Sequence, residues 1–93
     1  MQYAVDPNHP ALPGHFPGHP IVPGVVILSY ALDEVARAAK PLRVTGLRRV
    51  KFLRRLAPSE EFRVELGPIQ PGKLAFKCWV NENLLAEGQA ALS

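Results

Sequence analysis

Ninety-three residues, 47% of them hydrophobic and 20% charged, make one globular domain spanning 1–93, which excludes two separate domains and a disordered tail. The formal charge of +3 suits an acidic partner, but without a basic face and a reading motif it does not argue for nucleic acid.

The lone cysteine, Cys78, cannot form an internal disulfide, so a reducing compartment is expected. The longest unbroken apolar stretch, Val25 to Leu28, falls far short of the roughly 20 residues of a membrane span. No charged-then-apolar leader opens the chain. A cytoplasmic protein is the expectation.

Gln2 to Val5 reads as a short first strand, broken by Asp6-Pro7-Asn8-His9-Pro10. Six of the ten prolines lie between Pro7 and Pro23, so this part is ordered irregular structure, and a long rigid loop of that kind is usually functional. Its core is Leu12 to Tyr30. Four prolines, three glycines, His15 and His19 lead there without a break into an apolar helix. Proline fixes φ and glycine permits φ > 0, so alternating the two specifies one backbone path that can hold side chains in place. Histidine, with an ordinary pKa of about 6.5, takes and returns a proton near neutrality. Pro23 stands where the helix begins, and the N–H groups of Gly24 and Val25 lack partners within the first turn. A proton-transfer group thus lies close in sequence to a helix end that favours negative charge.

From Pro23 to about Lys40 the pattern is helical and apolar on nearly every face in its first two turns, as in a helix wrapped by protein. Asp33, Glu34 and Arg37 polarise its later part, and Lys40-Pro41 ends it. Strands follow. Leu42 to Leu56 contains Gly46 at the place of a bulge or bend, and Pro58-Ser59 supplies a turn. In Glu61 to Leu66, Phe62, Val64 and Leu66 share one face. Lys73 to Val80 repeats this with Leu74, Phe76, Cys78 and Val80, and Asn81-Glu82-Asn83 turns the chain into Leu84 to Leu92. The predicted class is α+β: a largely apolar helix needs a curved antiparallel sheet around it.

The string His15-Phe16-Pro17-Gly18-His19-Pro20-Ile21-Val22-Pro23-Gly24-Val25 resembles the signature HFPxxPxxPGV of the 3-hydroxyacyl-acyl carrier protein dehydratases, and the predicted order of elements agrees along essentially the whole chain. The resemblance implies a hot-dog fold, a sheet wrapped around a central helix, assembled edge to edge as a homodimer with the site at the interface. It implies His15 as general base, Gly24 as N–H donor to the thioester oxygen, and Phe16, Pro23 and Val25 beside the substrate. No cofactor is implied beyond the phosphopantetheine on which acyl carrier protein presents the acyl chain. Where the family carries a helix Glu or Asp, contributed by the other subunit to expel the 3-hydroxyl as water, this chain has Ser29. Asp33, one turn on and on the same face, is the alternative acid.

His19 reads as a spacer and His9 as a turn residue. The spacing of His15 and His19 in a proline-rich loop, without a Cys pair, does not form a zinc site. Arg48, Arg49, Lys51, Arg54 and Arg55 form the densest basic run, either a solvated strand face with Val50 and Phe52 on its other side or a docking surface for acidic carrier protein. Cys78, Trp79 and Tyr30 read as core or interface residues. Besides the dehydratase, two functions are consistent with the sequence. One is a non-catalytic acyl-thioester-binding subunit working with an active paralogue, and the other is a hot-dog thioesterase.

Overall fold

The computed structural model describes residues 2–6 and 21–93. Pro23 has extended backbone angles, φ −60° and ψ 143°, so helix α1 begins one residue later and runs Gly24–Ala39. The Pro23 carbonyl accepts the N–H groups of Val26 at 3.0 Å and Ile27 at 3.4 Å, which starts the helix without a capping side chain. Lys40-Pro41 ends it as expected.

The strands are β1 (Gln2–Tyr3), β2 (Val44–Phe52), β3 (Phe62–Leu66), β4 (Lys73–Val80) and β5 (Asn83–Leu92). They form one antiparallel sheet in the order β1-β3-β4-β5-β2. The first strand is shorter than its sequence suggests because Val5 turns inward: it is fully buried and its carbonyl accepts the Ser59 N–H at 2.8 Å. β2 is irregular, with register shifts at Val44/Gly46 and at Arg48/Lys51, and Arg49 has a left-handed φ of 55°. The bulge expected near Gly46 is therefore present, and a second one follows it.

The helix lies on one face of the sheet. Val26, Ile27, Ala31, Val35 and Ala39 point down, spaced by about one turn. They meet Phe62 and Val64 of β3, Leu74, Phe76 and Cys78 of β4, and Ala86, Ala90 and Leu92 of β5. Large side chains on β4 face small ones on β5 in register, Leu74 against Ala90, Phe76 against Gly88 and Cys78 against Ala86. That alternation leaves room for a 16-residue helix about 24 Å long. The prediction that nearly every face of the first two turns is covered needs correcting. Val25 is 73% exposed and Ser29 is exposed, because one sheet can cover only one side of a helix.

On the opposite face the registers bring Glu65, Lys77, Glu87 and Lys51 into one row across four strands, alternating in sign. Charges placed this way support pairing and keep the face hydrated.

A Cβ on Gly88 would come 2.8 Å from Cζ of Phe76 and 3.1 Å from Val50, and Phe76 is 1% exposed with no space to retreat. Gly88→Ala should therefore cost about 1–3 kcal/mol in urea unfolding. Gly46→Ala, with nothing within 4 Å of the added atom, should change stability by less than about 0.5 kcal/mol.

Candidate active site at the start of the helix

Two contacts fasten the start of α1. The Val22 N–H donates to the carbonyl of fully buried Leu56 at 2.8 Å, tying the segment before the helix to the chain after β2. The Phe52 ring lies against bare backbone at Gly24, where a Cβ would come within 2.6 Å of the ring's Cζ. Only glycine allows that approach, so a residue that is a poor helix former stands at the first helical position for a packing reason.

A groove opens here. Its apolar lining is Ile21, Val22, Ile27 and Phe52, Gly24 and Val25 bring the helix end to it, and Arg54 and Arg55 add positive charge. Among the described residues, no acceptor meets the N–H groups of Gly24 and Val25. Two donors, the positive end of the helix dipole and two guanidinium groups therefore converge on an apolar slot. This arrangement can hold a partly negative oxygen at the end of an apolar chain.

Of the residues singled out from sequence, Gly24 and Val25 border this groove, and Pro23 stands just before them at the helix start. His15 and Phe16, with His9 and His19, lie outside the described residues. Ser29 and Asp33 are exposed, one turn apart on the side of the helix away from the sheet. Ser29 Oγ donates to the Val26 carbonyl at 2.6 Å, a bond within the helix. Among the described residues no group of His, Cys, Asp and Glu could hold a metal ion, and no helix is long and apolar enough to cross a membrane.

Sequence reasoning missed Phe52, Arg54 and Arg55 as companions of the helix start, since they lie some thirty residues downstream. The only local signal was a glycine at the head of an otherwise strongly apolar helix. A second cluster was also missed. Tyr3 packs against Tyr30 at 4.9 Å and Phe62 at 5.8 Å between ring centroids. Its hydroxyl accepts a hydrogen bond from Arg37 at 3.2 Å. Burial, then the neighbouring Glu34 carboxylate, raise the Tyr3 pKa above 10.0 against the opposing pull of Arg37. Glu34 Oε2 is buried without a hydrogen-bond partner among the described residues.

The architecture defines a hot-dog domain, with the groove at its helix start. A family model described as ApeI dehydratase, of the ApeI-like group, matches residues 1–89, and the chain belongs to the ApeI-like dehydratase family. It is 31% identical over 98 residues to the 3-hydroxyacyl-[acyl-carrier-protein] dehydratase FabZ of Desulforamulus reducens, a match covering 91% of this chain and 68% of that one. The chain spans about two thirds of the length of the curated relatives it matches. Among solved structures, the dehydratase heterocomplex ApeI:P from Xenorhabdus doucetiae superposes with a TM-score of 0.81 at 23% identity, covering 98% of this chain and 82% of that chain. The F36A mutant of the fluoroacetyl-CoA-specific thioesterase FlK superposes at 0.67 and 14% identity, covering 100% and 82%. The predicted α+β hot-dog fold is therefore the observed one.

Cys78 is buried, and desolvation first, then the charge of Glu34, push its thiol from an ordinary 9.0 up to about 11. Thiolate is the reactive form, so at pH 8.5 the folded protein should resist iodoacetamide while the urea-unfolded chain is alkylated readily. The same shift fixes a sign for stability. Its contribution is whole below 9.0 and is lost as pH rises towards about 11, because there the unfolded thiol ionises and the folded one does not.

Proposed function

We propose that this protein is a hydro-lyase that removes water from a 3-hydroxyacyl thioester carried on acyl carrier protein, giving the 2-enoyl thioester. Membership of the ApeI-like dehydratase family and the likeness to FabZ support the reading. The observation that carries it is the pair of Gly24 and Val25 N–H groups beside an apolar groove with Arg54 and Arg55.

The thioester oxygen sits at the Gly24 and Val25 N–H groups, which stabilise the charge that develops as the neighbouring carbon is deprotonated. His15 removes that proton. The C–H electron pair becomes the new double bond, the C3–O bond breaks, and the hydroxyl leaves as water after taking up a proton. Phe16 and Pro23 border the acyl chain, and Arg54 and Arg55 face the phosphodiester of the phosphopantetheine arm. No cofactor takes part, and the reaction belongs to the cytoplasm.

Ser29 and Asp33 lie on the exposed side of α1, so the proton for the leaving hydroxyl comes from across a homodimer, with Asp33 as donor and Ser29 as a hydrogen-bonding group. Among the described residues the outer edge of β2 is unpaired, and it pairs with a second copy. Near it lie Leu47, Phe52 and Leu53, exposed by 39%, 47% and 52%.

One observation favours a second reading. The single proton of the Ser29 hydroxyl is engaged by the Val26 carbonyl, which suits a subunit that binds the thioester and leaves turnover to an active paralogue. The structurally similar ApeI:P is a dehydratase heterocomplex.

The purified protein, given a 3-hydroxyacyl carrier-protein substrate, should produce the conjugated enoyl product, and His15→Ala should slow this by roughly 10²–10⁴-fold. Full activity in that variant would reject His15 as base. Product formed only after a paralogue is added would establish the subunit reading, and released thiol would identify a thioesterase. Ser29→Glu restores the family's carboxylate at an exposed position and should raise turnover about tenfold or more, whereas Asp33→Asn should lower it.

A further inference from the structure

The run Arg48 to Arg55 is not one basic face. Arg54 and Arg55 belong to the groove at the helix start, and Arg54 donates to Asn83 Oδ1 at 3.2 Å. Lys51 stands in the alternating row, in register with Glu87, which in turn faces Lys77. Arg48 and Arg49 differ from both groups. In register, Arg48 faces Gln89, which faces Ala75, and the adjoining row is Gly46, Ala91 and Lys73. No carboxylate stands opposite Arg48 or Lys73 in either row.

These rows form a depression on the sheet face away from the helix. Its floor is made by the small residues Gly72 and Ala91, and Arg48, Arg49, Lys73 and Gln89 surround it. Arg49 and Gln89 also border the neighbouring hollow over Ala75 and Gly88, so the two join in a shallow trough. Arg49 reaches both hollows from a strand residue with a left-handed φ of 55°, a costly conformation for a side chain with a Cβ.

We propose that this trough is the docking surface for the acidic body of the carrier protein, an inference that rests on the thioester reading above. Arg48 and Lys73, with no carboxylate across from them in register, complement an acidic helix together with Arg49, and the small residues Gly72 and Ala91 let a helix approach closely. Glu87 and Glu65, which punctuate the same face, would repel a membrane or a nucleic acid of uniform negative charge. A folded partner can place a neutral or basic residue against them. Antiparallel pairing of two β2 edges would also lay the Gly46 end of this trough beside the partner's Phe52 and helix start, so a carrier docked on one copy stands near the groove of the other.

The test measures binding of unacylated holo carrier protein at low and high salt to the unaltered protein and to an Arg48→Glu/Lys73→Glu variant. Both sites are exposed, and retention of the fold is checked by circular dichroism. Binding should weaken tenfold or more in the variant and fall with salt in the unaltered protein, while turnover of a 3-hydroxyacyl N-acetylcysteamine thioester is unchanged. Equal carrier binding by the variant, loss of binding through Arg54→Glu/Arg55→Glu alone, or no binding by the unaltered protein would overturn the proposal. So would binding to phosphatidylglycerol vesicles that disappears in Arg48→Glu/Lys73→Glu while carrier binding persists. Intact carrier binding without turnover of either thioester would reject the catalytic reading and leave this surface standing.

Discussion

The approach of the Phe52 ring to the bare backbone of Gly24 joins the end of β2 to the start of α1. Among the described residues β2 is an edge strand paired with β5, and the ring of its last residue lies against the first residue of the helix. With the Val22–Leu56 hydrogen bond it fixes the helix start against the chain that leaves β2. The N–H donors, the apolar lining and the two arginines share one groove because of that seam. A side chain at position 24 would displace the ring, and the groove would lose a wall and its alignment with the donors.

What could be read from the sequence was what is local. The helix bounds were legible because prolines stand at both ends, and β4 because Leu74, Phe76, Cys78 and Val80 alternate without interruption. β2 was less so. Its two register shifts break the period of two, so a run of five basic residues looked like one face when the fold distributes it over three surroundings. The apolar pattern of the helix also overstated its burial. Hydrophobicity says that a face is to be covered, not whether the same chain covers it, and Val25 remains open. At the groove, Gly24 and Val25 were legible as part of a contiguous motif, whereas Phe52, Arg54 and Arg55 join them only through the fold.

The middle of the helix contrasts with this groove. Tyr3, Tyr30 and Phe62 pack as an aromatic group, with Tyr30 edge-on to Phe62 at 5.6 Å, and Tyr3 carries the hydrogen bond from Arg37. Glu34 brings a carboxylate into this apolar setting, where its field raises both Tyr3 and Cys78. Aromatic packing and a charged contact together hold a strand of only two residues to the body of the protein. The cluster is displaced along α1 from Gly24, Tyr30 by six residues and Glu34 by ten, about 9 and 15 Å. It therefore belongs to the support of β1 and not to the chemistry of the groove.

The fold alone does not select among thioester reactions, for the same architecture serves a fluoroacetyl-CoA thioesterase at 14% identity. Elimination and hydrolysis share the need for a polarised carbonyl, which the helix start can meet in either case. They differ in what must stand opposite: hydrolysis needs a water aimed at the carbonyl carbon, and dehydration needs a proton for a hydroxyl two carbons away. In this chain the positions at issue, Ser29 and Asp33, lie on the outward side of α1, one bonded within the helix and the other facing solvent. The N–H groups of Gly24 and Val25 stand at the end of α1, and these two side chains lie about one and two turns along it. On the proposed reading the proton donor comes from a second copy of this chain, so pairing of the two copies, more than any feature of the groove alone, completes what dehydration needs.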